Sequence, residues 1–313
     1  MVRFGLAGVG VHGARYAAHL LRGDVRGACL GAISRRDVRE GSLAALAHNL
    51  VFAADPRELA TLAGLDAVVV CLPPDLHPEV AIACLEAGRP VIVEKPMAPT
   101  SSAAEALAGA AARTGTPLLV AQTLRFDPLI VALKREAASL GAIRLVAINQ
   151  RFEPAARDWI DTPGRGGVIL NTGVHAFDLL RFLTGGEIVS IRATAASKVT
   201  RKTEDEFAAI VRIEPGGILA TIDNVRTTAG RTGRIEIVCE RGQLRADHIH
   251  RELARIERRE IIDLGPFPEV PTVVEALSAF VTCLAAGLPM PVTAEDGLAA
   301  VRAVEACYRA LSA

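Results

Sequence analysis

The chain opens on Val2-Arg3-Phe4-Gly5-Leu6-Ala7-Gly8-Val9-Gly10-Val11-His12-Gly13, and this stretch decides the predicted fold. Its apolar residues predict a short strand, and the G-x-G-x-x-G turn that follows leads into a helix over residues 14–21. Gly8 allows a tight turn, Gly10 lets the backbone approach a pyrophosphate, and Gly13 lets the helix pack closely. The free N–H groups at the start of such a helix favour phosphate oxygens. The stretch therefore predicts a dinucleotide-binding α/β domain.

The end of the next predicted strand, residues 29–33, bears on the choice of dinucleotide. Ser34-Arg35-Arg36 follows that strand, where an NAD-specific site usually carries Asp or Glu to hold the ribose 2′-hydroxyl. Serine and arginine would instead donate hydrogen bonds and positive charge to a 2′-phosphate. We therefore expect NADP, with NAD the less favoured cofactor. The alternative is that the arginines only solvate a loop, and Asp37 lies close by.

A second chemical signal is Val91-Ile92-Val93-Glu94-Lys95-Pro96. The β-branched run predicts a buried strand that the proline ends. Lys95 then lies at the carboxyl end of a parallel strand, where open α/β sheets bind ligands. Only four of the 35 basic residues are lysines, so lysine is not the ordinary solubilising charge of this chain. We expect a functional lysine; the alternative is a surface ion pair between Glu94 and Lys95.

Another buried strand, residues 65–72, breaks into the turn Pro73-Pro74. A helix is predicted over residues 79–87 and ends at Gly88, a usual C′ residue. His77 stands just before this helix. Two interpretations stay open for it, a contact with the cofactor and a helix-capping or loop histidine.

Asn171, His175 and Asp178 are spaced four and three residues apart. They share one face if a helix begins by Asn171. Most of their neighbours are apolar, so the histidine lies on a mostly buried helix. From the residues alone, a core histidine satisfied by Asp178 and an acid/base histidine are both open.

Composition limits the class of protein. A length of 313 residues suggests about two domains, and half of the residues are apolar. Lys plus Arg and Asp plus Glu both number 35, which gives no reason to expect a nucleic-acid or membrane partner. The six cysteines form no C-x-x-C pair, and no metal-ligand cluster is evident, so we expect a reduced, cytoplasmic protein. No apolar run has the length of a membrane span, and a signal peptide is not expected.

Strands and helices alternate to about residue 120, which is typical of an α/β domain. After a predicted helix over residues 129–139, strands dominate. They are predicted at 143–152, 188–197, 206–213, 218–226, 234–239 and 254–263, before a last helix over 294–311.

Together these motifs give the chain a resemblance to the Gfo/Idh/MocA oxidoreductases, a family that includes glucose–fructose oxidoreductase and inositol dehydrogenase. The resemblance extends over essentially the whole chain. It rests on the glycine turn, Pro73-Pro74 with His77, Glu94-Lys95-Pro96, Arg125-Phe126-Asp127-Pro128, the run 166–178 and the closing segment 291–297.

The resemblance implies an N-terminal Rossmann domain, residues 1–120, and a C-terminal α+β domain, residues 121–313, with an open, mainly antiparallel sheet. The terminal helix could pack back on the first domain. The implied chemistry is reversible hydride transfer at a secondary alcohol or ketone carbon of a sugar or polyol. The family also implies a homodimer or homotetramer formed through the C-terminal sheet, whose second face would otherwise be uncovered.

Site roles follow from the resemblance. His175 is the expected acid/base and Lys95 the expected donor to the substrate oxygen. Asn171 is the third catalytic candidate, at a position where many similar sequences carry Asp; an amide orients the imidazole without adding charge. Candidates for substrate binding are Arg125, Trp159 and Asp178. Candidates for cofactor binding are Gly8, Gly10, Val11, His12, Gly13, Ser34, Arg35, Arg36, Leu72, Pro73, Pro74, His77, Glu94 and Lys95.

Two other function classes stay open. One is a non-enzymatic NADP-binding regulator, which tight cofactor binding without turnover of any polyol would favour. The other is an enzyme that uses the nicotinamide transiently, as in redox-assisted glycoside cleavage, which product formation without net change in NADPH would favour.

Overall fold

The computed structural model describes residues 1–35, 50–154 and 158–311, and for Asp158 and Trp159 the backbone alone. The chain divides into two compact units. The first comprises Met1–Thr123 and Pro271–Val301, and the second comprises Leu124–Val270 and Arg302–Ala313. Among the described residues, no helix combines the length and apolar character needed to cross a bilayer. All six cysteines are free thiols.

The first unit is built on a parallel sheet of six strands, in the order β3-β2-β1-β4-β5-β6. The strands are β1 (Val2–Ala7), β2 (Ala28–Ser34), β3 (Val51–Ala53), β4 (Ala67–Val70), β5 (Val91–Glu94) and β6 (Leu118–Ala121). Strand order reverses between β1 and β4, which is the point where such sheets bind ligands outside their carboxyl ends. The glycine turn after β1 and Lys95 after β5 therefore lie at the same edge of the sheet.

Within the described residues, three α-helices connect these strands: α1 (Gly13–Arg22), α2 (His77–Glu86) and α3 (Ser101–Thr114). Local signals set their ends. The Thr100 side chain accepts a hydrogen bond from Ala103 N (3.3 Å) at the start of α3, and Gly23 and Gly115 end α1 and α3 in the left-handed conformation. The strands are buried on both faces, as β5 shows with four buried residues.

Residues 271–301 group with the first unit, whereas the predicted second domain ran without interruption from 121 to 313. Their helix α6, Thr272–Ala286, follows from its apolar spacing. It packs against α1 and β6, and Phe280 lies against Phe4 with ring centroids 5.8 Å apart. Val120 N also donates to Val292 O (3.2 Å). Burial of an apolar helix face therefore attaches this segment to the parallel sheet.

The second unit contains an eight-stranded sheet in the order β14-β13-β12-β11-β7-β10-β9-β8. Its strands are β7 (Ile143–Arg151), β8 (Glu187–Ala196), β9 (Glu206–Glu214), β10 (Ile218–Val225), β11 (Thr232–Cys239), β12 (Gly242–Asp247), β13 (Glu252–Glu257) and β14 (Glu260–Asp263). Among the described strands of this sheet, the β7–β10 pair alone is parallel. The predicted fold class, a Rossmann domain followed by an α+β domain with a mainly antiparallel sheet, is confirmed.

One strand prediction needs correction, and two strands were missed. The predicted strand 254–263 is two strands, β13 and β14, separated by a turn in which Arg258 has a φ of 55°. Strand β12 was not predicted, because it follows β11 after a turn of only two residues. β3 also escaped prediction, since three residues are too few to show an alternating pattern.

One face of this sheet is covered and the other is open. Helices α4 (Pro128–Ser139) and α5 (Val174–Thr184) contact the sheet, and Phe207, Ala209, Val211 and Ile213 of β9 are buried. On the opposite face Ile210 is 55% exposed and Leu219 is 39% exposed. Of the apolar residues 218–222, only Leu219 therefore belongs to the open face, since the side chains of Ile218, Ala220 and Ile222 are buried.

Candidate functional site

The glycine turn of the first unit has the geometry that a dinucleotide requires. Gly8 has a φ of +93°, and a Cβ there would lie 2.4 Å from Cys71 O. A Cβ on Gly13 would lie 2.1 Å from Gly8 O, so only glycine allows α1 to begin so close to β1. A Cβ on Gly10 would meet nothing within 4 Å. Space next to the backbone is therefore present at the residue where a pyrophosphate would approach.

The start of α1 is prepared for an anion. His12 makes no side-chain cap, and the first turn contains no acidic residue. The partial positive charge of the helix terminus is thus not offset by a carboxylate of its own first turn. The turn and the helix together fit the phosphates of a dinucleotide.

A cavity of about 580 Å³ opens beside the turn. Its lining includes six of the predicted cofactor residues: Gly8, Gly10, Ser34, Arg35, Leu72 and Pro73. It also includes residues that sequence reasoning missed: Val9, Ala54, Asp55, Pro56, Arg57, Leu76, Glu79 and Val80. The Asp55-Pro56 pair, a cap residue followed by proline, was a signal for a helix start at this point.

Glu94 is buried behind the glycine turn, and its predicted contact with the cofactor stays a prediction. It is 4% exposed. Its Oε1 accepts hydrogen bonds from His12 Nε2 (2.8 Å) and Tyr16 OH (2.7 Å). Burial alone would raise the pKa of this carboxyl, but the hydrogen bonds and the charges of His12 and Lys95 outweigh burial and lower it to about 2. Glu94 therefore binds α1 to the carboxyl end of β5, and the alternative of a surface Glu94–Lys95 pair is wrong.

Lys95 follows Glu94 directly and is partly buried. Its backbone N–H donates to Glu94 Oε2 (3.0 Å). The same carboxylate thus holds the glycine helix through one oxygen and the backbone of Lys95 through the other. This arrangement fixes where the lysine leaves the strand at the ligand-binding edge.

His77 is 1% exposed and does not line the cavity. Nδ1 lies 2.9 Å from Pro96 O, and Nε2 lies 2.7 Å from Leu72 O. Burial lowers the pKa of His77, against the opposing effect of these two carbonyls. The ring contacts the two turns that follow β4 and β5, and a direct contact of His77 with the cofactor stays a prediction.

In the second unit, a π-helical turn, Ile169–Gly173, leads into α5. Asn171 lies in this turn, and its Nδ2 donates to Gly167 O (3.1 Å) and Arg165 O (3.5 Å). His175 lies in the first turn of α5 and is partly buried. Single π-helical turns are frequent at functional sites. Helical structure therefore begins before Asn171, as the shared face of Asn171, His175 and Asp178 requires. Its first turn is a π-helical turn, which is wider than the α-helical turn that the prediction assumed.

Asp178 is the carboxylate of a buried ion pair. Arg125 Nε and NH2 donate to its two oxygens at 2.9 and 2.7 Å, and the two side chains are 9% and 2% exposed. The guanidinium also lies 5.3 Å from the ring centroid of Phe182. Arg125 is thus an ion-pair donor in the structure, and a direct contact of either residue with substrate stays a prediction. The pair joins α5 to the segment before α4.

Two predicted residues lie outside this description. Arg36 is not among the described residues, and neither is the side chain of Trp159. Val11 and His12 belong to the glycine turn, whereas Pro74 begins a short 3₁₀ helix, Pro74–Leu76.

Comparison with known proteins supports the assignment of both units. The model for an oxidoreductase family with an NAD-binding Rossmann fold matches residues 2–122, and that for the GFO/IDH/MocA C-terminal domain matches 135–245. Inositol 2-dehydrogenase 1 of Saccharopolyspora erythraea is 32% identical over 99% of this chain and 94% of its own length. The chain belongs to the Gfo/Idh/MocA family.

Two further comparisons agree with this membership. Myo-inositol 2-dehydrogenase of Thermotoga maritima is 29% identical over 95% of this chain and 92% of its own. The crystal structure of a probable dehydrogenase from Thermotoga maritima is 26% identical, with a TM-score of 0.84 over 99% of this chain and 97% of that one. The resemblance inferred from the motifs is confirmed. The chain is an oxidoreductase of this family, with an NAD-binding Rossmann fold in its first unit.

The contacts of Asn171 generate a prediction about a residue at which many similar sequences carry Asp. In Asn171→Asp, an ionised carboxylate would meet the carbonyl oxygens of Gly167 and Arg165 without a hydrogen to donate. We expect the free energy of unfolding to fall by about 1–3 kcal/mol at neutral pH. Amide and carboxyl are therefore not equivalent at this position, although their shapes are alike.

The pH dependence follows from the same contacts. Two carbonyl neighbours favour the protonated carboxyl, so its folded-state pKa is expected above the unfolded value of about 4. The loss of stability should be smallest below that value and complete above the raised pKa. Urea unfolding of parent and variant at about pH 4 and about pH 7 measures this. Asn171→Ala, which removes the donor without adding charge, should cost the same at both pH values. A variant as stable as the parent at neutral pH would contradict the prediction.

Proposed function

We propose that the chain catalyses reversible hydride transfer between a nicotinamide dinucleotide and a secondary alcohol or ketone carbon of a polyol or sugar. The observation that carries the proposal is the similarity to inositol 2-dehydrogenases over almost the full length of the chain. The glycine turn and Lys95 at the same sheet edge support it from the structure. The two alternatives, a cofactor-binding regulator and transient use of the nicotinamide, have no comparable support.

Each unit contributes one part of the proposed chemistry. The dinucleotide, held by the glycine turn and the start of α1, supplies hydride acceptance and donation when bound. Lys95 donates a hydrogen bond to the substrate oxygen and stabilises the negative charge that develops on it. His175 takes the hydroxyl proton at a ring nitrogen and returns it in the reverse direction. Asn171 holds the π-helical turn before His175 through its contacts with Gly167 and Arg165.

The experiment that tests the proposal is turnover of a polyol panel by the parent and by Lys95→Met. The methionine keeps the apolar stem and removes the ammonium, so turnover should fall about 100- to 1,000-fold, as for loss of an electrostatic stabiliser. Cofactor affinity should stay within about twofold, since the side-chain hydrogen bonds that hold Glu94 to α1 come from His12 and Tyr16 and survive the loss of the ammonium. Lys198→Met, at an exposed lysine, is the matched control.

Distinct outcomes separate the candidate functions. Near-normal turnover in Lys95→Met would show that Lys95 is structural. Tight dinucleotide binding with no turnover of any polyol would favour the regulator. Product formation without net change in reduced cofactor would favour transient redox chemistry.

NADP is the proposed cofactor of choice, with NAD the weaker ligand. Ser34 and Arg35 line the cavity at the end of β2, where they would face the 2′-substituent of the adenosine ribose. The described lining also contains Asp55, Glu79 and Arg57. Its formal charges therefore balance, and the preference depends mainly on Arg35.

Arg35→Ala should weaken NADP binding about tenfold, the value of one charge-assisted hydrogen bond, and leave NAD binding within about twofold. Calorimetric titration with both cofactors measures this. Arg26→Ala, at an exposed arginine, serves as the control. Equal affinities of the parent for NAD and NADP would end the proposed preference.

The open sheet face is the proposed surface for homodimer formation, with a tetramer as the larger possible assembly. Across this face Leu219 pairs with Leu145, and Leu145 pairs with Val238. These residues form an apolar row next to the exposed Ile210. Burial of such a row against a second copy would remove it from water.

A cytoplasmic location, inferred from the cysteines, stays a prediction.

Light scattering at micromolar concentration should give at least twice the monomer mass. Leu219→Glu places a charge in the apolar row and should reduce the mass to that of a monomer. Val131→Glu is the matched control, because Val131 is 47% exposed and lies on α4. A monomeric parent would contradict the assembly.

A further inference from the structure

Three charged residues at the rim of the cavity form one connected group: Asp55, Arg57 and Glu79. Arg57 Nε lies 2.9 Å from both oxygens of Asp55, and its NH2 also donates to Asp55 Oδ2. On the other side, Arg57 NH1 donates to Glu79 Oε1 (2.8 Å). Hydrogen bonds to Asp55 and to Glu79 therefore fix the orientation of the guanidinium plane.

The backbone below Arg57 is also held. Asp55 caps the 3₁₀ helix Pro56–Ala60, and its Oδ1 accepts a hydrogen bond from Arg57 N (2.9 Å). Pro56 stands at the first position of this helix, where its ring fixes φ. The Asp55 carboxylate therefore accepts hydrogen bonds from both the backbone N–H and the guanidinium of Arg57. Glu79 connects the same guanidinium to the first turn of α2.

Exposed ion pairs contribute little to stability, so stability is a weak reason for this arrangement. The location suggests another. All three residues line the cavity, and so do the apolar side chains of Pro56, Leu72, Pro73, Leu76 and Val80. A flat cation in a cavity that is also lined by apolar side chains suits a flat aromatic ligand, on which guanidinium planes stack.

The same geometry disfavours a phosphate as the partner of Arg57. Hydrogen bonds from Arg57 lower the pKa of Asp55 to about 2, so this carboxyl is ionised at neutral pH. A phosphate that reached the guanidinium would lie within a few ångströms of Asp55 and of Glu79. Repulsion from two carboxylates would offset the attraction of one arginine.

We infer that Arg57, oriented by Asp55 and Glu79, is a cofactor-binding residue that stacks its guanidinium plane on the adenine ring of the dinucleotide. This inference rests on the proposed dinucleotide function and deepens it. It divides the arginines of the cavity by role: Arg35 recognises the 2′-phosphate, and Arg57 recognises the base.

The experiment compares Arg57→Met, Arg57→Lys and Arg35→Met by calorimetric titration with NAD, NADP and nicotinamide mononucleotide, which lacks the adenosine half. Arg57→Met should weaken NAD and NADP by the same factor, about tenfold, and leave the mononucleotide unchanged. Arg57→Lys keeps a positive charge next to Asp55 but removes the planar guanidinium, so it should show most of the same loss of affinity for NAD and NADP. Arg35→Met should weaken NADP alone.

Each other outcome overturns a specific statement. Loss of NADP affinity with unchanged NAD affinity in Arg57→Met would make Arg57 a phosphate ligand. Parent-like affinity in Arg57→Lys would show that charge, not the plane, matters. No change in either variant would leave Arg57 as a surface ion pair. A parent that binds dinucleotide but turns over no polyol would refute the proposed activity alone, and a parent that binds neither dinucleotide would refute both.

Discussion

The buried carboxylate of Glu94 is the contact on which the cofactor-binding unit depends. It lies where three elements converge: the carboxyl end of β5, the start of α1 and the backbone of Lys95. A charge in the protein interior is costly unless it is paired and hydrogen-bonded. Here His12, Tyr16 and Lys95 provide those partners. Since its pKa is lowered to about 2, the contribution of Glu94 to stability is fully present above the unfolded pKa and is lost progressively as pH falls from that value through about 2.

This contact explains why Gly-x-Gly and Glu-Lys-Pro occur together. The glycine turn needs α1 to begin very close to β1, as Gly13 and Gly8 show. The lysine needs a fixed exit from β5. The Glu94 carboxylate fixes both the start of α1 and the position of Lys95, because it contacts His12 in the glycine turn and the backbone N–H of Lys95. His77 adds a second link at the same edge, between the carbonyls of Leu72 and Pro96.

What the sequence predicted correctly was mostly local. The glycine turn could be inferred because the backbone conformation or close contact that requires each glycine involves residues only a few positions away in the sequence. The roles of Glu94 and Asp178 could not, because their partners are 78–82 and 53 residues away. The group around Arg57 was missed for a related reason. β3 is too short to show a pattern, and Glu79 is 22 residues from Arg57.

The two units show different ways of fixing a charged side chain near a functional residue. Glu94 is surrounded by several donors and holds α1 and the backbone of Lys95 at the carboxyl end of β5. Arg125 and Asp178 satisfy one another in a bidentate pair, which attaches the His175 helix to the segment before α4. Removing one member of such a buried pair leaves the other charge unpaired and costs about 3–5 kcal/mol. Loss of activity in Arg125 or Asp178 variants would therefore not by itself show contact with substrate. A variant that changes KM for the polyol but leaves stability unchanged would be needed to show it.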